Sequence, residues 1–248
     1  MLKLQNVSKQ YQGASKFAVE NLDLEVRPGE IFGFLGPNGA GKTTTIKMIV
    51  GLLQLTSGKI LINDTDLAKE PVAAKRACGY VPDNPALYQR LTGIEYLNLI
   101  GDVFEVASST RKKRLEYYLE MFNLTEVAHD LVQSYSHGMQ QKLALTGALL
   151  HAPKLFILDE PMVGLDPKSA HQFRGIMRKH VEQGNTVFFS THILEVAEKL
   201  CDRVGIINRG KLVACGTMDE LRQDSKGVDS NLEKLFLELT KEEEFNED

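Results

Sequence analysis

The sequence is poor in the features that mark secreted, zinc-binding or membrane-spanning chains. Its three cysteines are an odd number without a Cys-x-x-Cys pair, so neither a disulfide framework nor a zinc site is predicted, and a reducing cytosol fits best. The first residues lack the apolar core of a signal peptide. The longest apolar run, Met48–Leu53, is far shorter than the roughly 18 residues of a spanning helix. We therefore expect that the chain does not cross a membrane by itself.

The chain also lacks an excess of charge over most of its length. Its 29 basic and 33 acidic residues give a net charge of −4. The segment 241–248, with one lysine among five acids, carries all of that charge. Because the rest of the chain is nearly neutral, bulk electrostatic attraction to nucleic acid is not expected. We predict no nucleic-acid partner.

What is present indicates an α/β protein with a sizeable core. The length of 248 residues fits one large domain, or one domain with a subdomain. Alternation in Leu22–Val26 predicts an antiparallel β layer near the N-terminus. Ile31–Leu35 is apolar throughout, as expected of a strand that is buried on both faces. A glycine-rich loop follows it, and then a helix with one apolar face that ends near Gly51–Gln54.

The middle of the chain has a helical pattern. We predict a helical subdomain over about residues 86–150, with capping-box spacing in Thr92–Glu95 and a charged helix over about Thr110–Met121. The α/β core resumes with the apolar runs Leu155–Leu158 and Thr186–Ser190, which are typical of parallel strands joined by helices. A hairpin is predicted around Arg209-Gly210.

The segment Gly36–Thr43 satisfies the pattern G-x-x-x-x-G-K-[ST] between a predicted strand and a predicted helix, which is the context that makes it a phosphate-binding loop. Glycines allow backbone N–H groups to point at phosphate oxygens, Lys42 reaches the β- and γ-phosphates, and Thr43 is a ligand for Mg²⁺. The sequence thus predicts a nucleoside triphosphate site on a P-loop NTPase core. The candidate nucleotide-binding residues here are Gly36, Asn38, Gly39, Ala40, Gly41, Lys42, Thr43 and Thr44.

Two acids follow the apolar strand at Leu155–Leu158. We predict that Asp159 holds Mg²⁺ and that Glu160 orients and deprotonates the attacking water, since phosphoryl transfer needs both roles. A solvated strand end or a helix cap is the commoner reading of a lone Asp-Glu pair, but it fits less well beside a phosphate loop.

Further motifs occur in the order found in the nucleotide-binding subunits of ABC transporters, a family that the chain resembles from about Leu2 to Leu221. Tyr135–Lys142 is similar to the family's L-S-G-G-Q signature, and Gly164–Pro167 is similar to its D-loop. His192 matches the switch histidine. Tyr11 lies where the family has an aromatic residue that stacks on adenine; it would otherwise pack a loop, and its ring alone does not discriminate ATP from GTP.

The resemblance implies an ATPase that powers a transporter, with ATP and Mg²⁺ as cofactors. It implies that Ser136 and Gly138 close over ATP held by a second cassette, in a homodimer or heterodimer, and that Asp166 lies at this contact unless it only caps a loop. A separate integral-membrane subunit would form the pore. The protein would then be peripheral, on the cytoplasmic face of the cell membrane. We assign residues 1–221 to the cassette and 222–248 to a C-terminal helix and acidic tail.

The chain departs from the family pattern at two places. The signature has Tyr135, His137 and Met139 where the family has Leu, Gly and Gln, although Ser136 and Gly138 are kept. Asp83 stands where the family has a glutamine that contacts Mg²⁺, so it would either ligate the metal or swing away when ATP binds.

Two other classes of function remain open from sequence. ABC ATPases that act on ribosomes or chromosomes usually have two cassettes or a long coiled coil before Asp159, and this chain has neither. A GTPase-type switch would need an N-K-x-D motif, which is absent.

Overall fold

The computed structural model describes residues 1–162, 165–224 and 236. The strands of these residues form two sheets: β1 (Leu2–Lys9), β2 (Val19–Val26), β3 (Ile31–Leu35), β4 (Ser57–Ile62), β5 (Thr65–Asp66), β6 (Cys78–Val81), β7 (Leu155–Asp159), β8 (Thr186–Thr191), β9 (Arg203–Asn208) and β10 (Lys211–Gly216). The α-helices are α1 (Lys42–Ile49), α2 (Pro71–Arg76), α3 (Gly93–Val103), α4 (Ser108–Met121), α5 (His137–Leu150), α6 (Pro167–Glu182), α7 (Leu194–Leu200) and α8 (Met218–Asp224). Val132–Ser134 forms a short 3-10 helix.

The smaller sheet is antiparallel, with strand order β2-β1-β4-β5. In β2, the apolar Leu22, Leu24 and Val26 are buried while Asp23 and Glu25 face solvent. This period-two pattern gives the sheet one buried face. The predicted antiparallel layer is therefore confirmed.

The larger sheet has strand order β10-β9-β3-β8-β7-β6 and is parallel except for β10. Every residue of β3 is buried, as predicted. In β7, Leu155 and Ile157 pack against α1 and the small sheet, whereas Phe156 and Leu158 pack against the helical side. The hairpin between β9 and β10 turns at Arg209 and Gly210, which both have positive φ.

The predicted helical segment contains α3, α4 and α5. Thr92 and Glu95 form the reciprocal capping box at the start of α3, and the charged helix begins at Ser108, two residues before the predicted start. The limits 86–150 and 1–221 remain predictions. Of the predicted C-terminal helix and tail over 222–248, residues 222–224 belong to α8, and the rest, apart from residue 236, lies outside the described residues. In the described part of the chain, no helix has the length and apolar character needed to span a membrane.

Candidate nucleotide site

Four neighbouring strands of the large sheet carry the predicted phosphate-binding, metal-binding and catalytic residues at their carboxyl ends. The phosphate loop follows β3, His192 follows β8, the Asp159-Glu160 pair ends β7, and Asp83 follows β6. These strands are adjacent in the order β3-β8-β7-β6 and all run parallel. The crevice at the carboxyl ends of parallel strands is where open α/β sheets bind ligands.

The backbone conformation of the phosphate loop requires its glycines. Gly39 and Gly41 have φ values of 79° and 108°, which favour glycine. A Cβ on Gly41 would lie 2.6 Å from the Ala18 carbonyl oxygen, and one on Gly36 would lie 2.4 Å from the Ile207 carbonyl oxygen. The loop is thus packed between neighbouring backbones. Asn38 and Gly39 form its exposed tip, while Ala40 is buried.

Lys42 folds back over this loop. Its side chain is only 6% exposed, and Nζ donates to the carbonyl oxygens of Gly36 at 2.7 Å and Pro37 at 3.1 Å. The same Nζ lies 3.6 Å from Glu160 Oε1. Burial lowers the pKa of Lys42, and the charge of Glu160 opposes that shift. The ammonium group is positioned at the loop where phosphate charge would enter.

Asp159 is fully buried at the end of β7. Ser190, its register partner on β8, donates to Oδ1 at 2.5 Å. Burial raises the pKa of Asp159, and the Ser190 and Thr43 hydroxyls oppose this shift. Oδ2 is buried without a hydrogen-bond partner. A buried carboxylate oxygen that lacks a donor, next to a hydroxyl, is the kind of oxygen donor set that Mg²⁺ requires.

Glu160 has a left-handed backbone, with φ of 48°. This conformation is uncommon for a non-glycine residue and clusters at functional sites. Its N–H donates to Ser190 Oγ at 3.1 Å, and its Oε1 lies 3.0 Å from His192 Nδ1. A hydrogen bond between these atoms places the proton on Nδ1, because the carboxylate only accepts. Glu160 therefore connects the phosphate-loop lysine with the predicted switch histidine.

Asp83 lies two residues beyond the end of β6. Its Oδ1 accepts a hydrogen bond from the Asn84 N–H at 2.8 Å. Burial is the main cause of the raised pKa of both Asp159 and Tyr80, and the negative charge of Asp83 adds to each shift. Asp83 is thus electrostatically coupled to the predicted metal ligand, although its predicted contact with the metal remains a prediction.

Tyr11 lies beside the first turn of α1. Its ring is 44% exposed, and its hydroxyl is 3.3 Å from Thr44 Oγ1. Thr44 follows directly after Lys42 and Thr43, so the exposed ring is adjacent to the phosphate loop. This position suits a base-stacking role, which stays a prediction.

The signature segment forms the start of helix α5. Ser136 is the N-cap of α5, and its Oγ accepts from the Met139 N–H at 3.3 Å. Gly138 lies in the first turn of the same helix. The neighbouring Tyr135 is buried, and its hydroxyl donates to the Val127 carbonyl at 2.6 Å. Among the described residues, no hydrogen bond or ion pair joins Ser136 or Gly138 to the phosphate loop.

Asp166 caps α6. The sequence left a capping role open as the alternative to a contact in a dimer. It accepts from Ser169 N–H at 2.9 Å, from Ser169 Oγ at 2.6 Å and from Lys142 Nζ at 2.9 Å. These donors, led by the Ser169 hydroxyl, hold the pKa of Asp166 well below its usual value. The carboxylate is half exposed, so capping and an intermolecular contact are compatible.

Two residues of the site were missed from sequence. Ser190 joins Asp159 and Glu160 through one hydroxyl; the available signal was a lone polar residue at the end of an apolar strand, two positions before His192. Lys9 has its Nζ 5.5 Å from the centre of the Tyr11 ring, and no local pattern in the sequence marks that contact.

Comparisons with known proteins agree with this geometry. A sequence model described as ABC transporter matches residues 19–163. The linearmycin resistance ATP-binding protein LnrL of Bacillus subtilis (strain 168) is 41% identical over 89% of this chain and 70% of its own length.

Solved structures agree as well. One described as the ATP-binding subunit of an ABC transporter superposes with a TM-score of 0.92 at 35% identity, over 97% of this chain and all of that one. A dimeric post-hydrolysis form of the ATP-binding cassette MJ0796, bound to ADP and Pi, has a TM-score of 0.80 at 27% identity, over 88% of this chain and 99% of that one. The predicted fold and family are confirmed: this chain belongs to the ABC transporter family, as an ATP-binding and ATP-hydrolysing subunit.

Proposed function

We propose that the chain hydrolyses Mg²⁺-bound ATP to drive a transporter whose pore is formed by a separate integral-membrane subunit. The observation that carries the proposal is the convergence of Lys42, Asp159, Glu160 and His192 at the ends of adjacent parallel strands. In this role the chain would sit peripherally on the cytoplasmic face of the cell membrane.

The contacts of Lys42 suggest how binding prepares the site. Lys42 contacts two loop carbonyls and lies near Glu160. The triphosphate offers Lys42 a stronger set of anionic partners, so its contact with Glu160 is released. Glu160 then remains hydrogen-bonded to His192 and is available to a water molecule. Binding and the preparation of the general base are therefore linked through one ammonium group.

Hydrolysis itself is a displacement at the γ-phosphorus. The attacking water gives its proton to Glu160 as its oxygen bonds to phosphorus, and the bond from phosphorus to the ADP oxygen breaks. Lys42 and the loop N–H groups stabilise the charge on the phosphate oxygens. His192 holds the Glu160 carboxylate in place and reaches the edge of the site, since its own side chain is 44% exposed.

Mg²⁺ fits the residues at the end of β7. Thr43 and Asp159 would hold it, and Asp83 would contact it directly or through water. When bound, the ion would neutralise charge on the β- and γ-phosphates. The orphaned Asp159 Oδ2 supports this assignment, because a buried carboxylate oxygen without a donor is costly unless a cation occupies the position.

A second cassette completes the proposed site. Ser136 heads a 14-residue helix, whose free N–H groups and dipole form an anion site. Because nothing within the described chain places Ser136 on the phosphate loop, we propose that it acts on ATP held by a partner, in a homodimer or a heterodimer. The dimeric MJ0796 cassette supports such an arrangement.

The central test is Glu160→Gln in the full chain. The substitution keeps size and hydrogen bonding but removes the base, so steady-state ATPase activity should fall by about 10²–10⁴-fold. Calorimetry should still detect ATP binding. Light scattering with Mg²⁺ and ATP should show a doubled mass, because ATP that is not hydrolysed keeps the dimer closed.

The matched control is Glu120→Gln on the exposed face of α4, which should leave turnover unchanged. Wild-type turnover in Glu160→Gln would remove Glu160 from the role of general base. Transport is tested separately by extracting the tagged chain from cell membranes in mild detergent. Recovery without any integral-membrane protein would contradict the transporter assignment while leaving the ATPase assignment intact.

A further inference from the structure

The segment that carries Tyr11 is fixed to a distant part of the chain. Lys9 Nζ donates to the Gln54 carbonyl at 2.8 Å. Gln10 N–H donates to Thr56 Oγ1 at 2.9 Å, and the Thr56 hydroxyl donates back to the Gln10 carbonyl at 3.4 Å. Lys9 and Gln10 are thus held by the connection between α1 and β4. Tyr11 is held by α1 itself, through the contact between its hydroxyl and Thr44. An exposed aromatic ring is held here with little freedom.

Lys9 covers one particular face of the ring. The phosphate loop precedes Thr44 at the N-terminal end of α1, whereas Gln54 follows the C-terminal end of that helix. Lys9 Nζ donates to the carbonyl of Gln54, so its hydrogen-bond partner follows the end of α1 that is opposite to the phosphate loop. Its ammonium lies 5.5 Å from the ring centre, within the range of a cation–π contact. Tyr11 is nevertheless 44% exposed, so part of its surface is open to a ligand.

We propose that Lys9 is a positioning residue for the nucleotide base. It occupies the rear face of the Tyr11 ring and fixes the ring plane, so that a purine stacks on the front face while its triphosphate lies in the loop. This inference rests on the proposed base-stacking role of Tyr11. Fixing the ring in advance removes an ordering cost from binding. Stacking on a ring reads no hydrogen-bonding edge, so the contribution is the same for adenine and guanine nucleotides.

The test compares nucleotides with a ligand that has no base. In Lys9→Met, calorimetry should show the dissociation constants of ATP and GTP raised about two- to fivefold, the size expected of an exposed cation–π contact. Binding of tripolyphosphate should not change. The KM for ATP should rise by the same factor with kcat unchanged. Lys9→Arg should restore wild-type values, since guanidinium also binds to ring faces.

Two controls separate this contact from general effects. Lys3→Met removes a half-exposed lysine from the same strand and should alter no affinity. In a Tyr11→Ala background, Lys9→Met should cause no further loss, because the contact that it removes is already absent.

Different results would overturn the role of Lys9 and the role of Tyr11. Unchanged ATP affinity in Lys9→Met, an equal loss for tripolyphosphate, or a full loss that persists in the Tyr11→Ala background would each overturn the role of Lys9. Unchanged ATP affinity in Tyr11→Ala would overturn the stacking role of Tyr11 together with this inference. The ATPase assignment would stand in either case, since it depends on Lys42 and Glu160.

Discussion

The two phosphate-binding helix ends of this chain differ in how they are connected. At the start of α1, Lys42 contacts loop carbonyls and Glu160, and Glu160 contacts His192 and Ser190. At the start of α5, the Ser136 hydroxyl bonds, among the described residues, only within its own first turn. The first end belongs to a network that spans three strands. The second is a helix cap with an available anion site.

One chain therefore contains two different halves of a site. In the assembled half, at the start of α1, the site residues contact one another. In the prepared half, at the start of α5, the helix cap is formed but has no such contacts among the described residues. The network at α1 holds the base, the lysine and the predicted metal ligands together. The cap at α5 has no hydrogen-bonded connection to them among the described residues. A second cassette that supplies the cap would make both halves complete. The predictions below test this division.

The largest effect is expected from mixing two inactive variants. Lys42→Ala should abolish ATP binding, because the phosphates lose their direct counter-charge, and Ser136→Arg should block the cap. In a mixed dimer, one site regains Lys42 from one chain and Ser136 from the other. With random association about a quarter of the wild-type sites are intact, so ATPase activity should recover to roughly that level.

The mixture requires that the chain form a dimer with itself, which the doubled mass expected of Glu160→Gln would establish. Ser134→Arg, at an exposed position on the neighbouring 3-10 helix, is the matched control and should be active alone. Mixed dimers without any recovered activity would show that Ser136 acts within its own chain, and the comparison between the two ends would fail.

The assembled half was also the more predictable half. Ile31–Leu35, the phosphate loop and Asp159-Glu160 could be read from sequence because each combines a continuous apolar strand with residues of restricted chemistry. The helical segment was found through its periodicity and the Thr92–Glu95 cap. Each of these signals comes from residues that are close in sequence, and the strands and helices that they predict are present in the structure.

Contacts between distant segments could not be read in this way. Strand β4 has three exposed residues at its start, and the short helix α2 has only Ala74 buried, so neither gives a clear apolar period. Ser190 acquires its role only when β8 pairs with β7. Lys9 meets Tyr11 because Gln54, 45 positions away, holds its ammonium. Such partners are set by topology rather than by neighbouring residues.

A smaller effect is expected at Asp83, which tests how far the assembled half extends along the sheet. If its carboxylate contacts the metal directly or through water, Asp83→Ala should raise the Mg²⁺ concentration for half-maximal ATPase by roughly tenfold, the lower end of the loss for an outer-shell partner. Nucleotide binding without metal should change little. Asp83→Gln should restore much of the activity if the residue serves as the family glutamine does.

Asp130→Ala, in the exposed loop before the 3-10 helix, is the control for loss of a surface charge. A protein with Asp83→Ala and wild-type Mg²⁺ dependence, defective only when assembled with a membrane subunit, would overturn the metal contact. Asp83 would then be a coupling residue, and the assembled half would end at β7.

The smallest effect concerns the departure from the family pattern beside Ser136. Tyr135 is 4% exposed, and its hydroxyl donates to the Val127 carbonyl, which also accepts from the Asp130 N–H at 2.9 Å. A Cβ on Gly93 would lie 2.4 Å from that hydroxyl, so the side chain fills its space closely. We infer that this tyrosine holds the start of α5 against the helical core and has no part in the chemistry.

Tyr135→Phe removes one hydrogen bond and leaves the ring in place. The free energy of unfolding in urea should fall by only about 1 kcal/mol, because the Val127 carbonyl keeps the Asp130 N–H as its second partner. Turnover per folded protein should not change. Tyr117→Phe, with an exposed ring on α4, should have no effect on either quantity. If Tyr135→Phe kept its stability but lost ATPase activity in the dimer, the hydroxyl would belong to the composite site, and the prepared half would contain more than a helix cap.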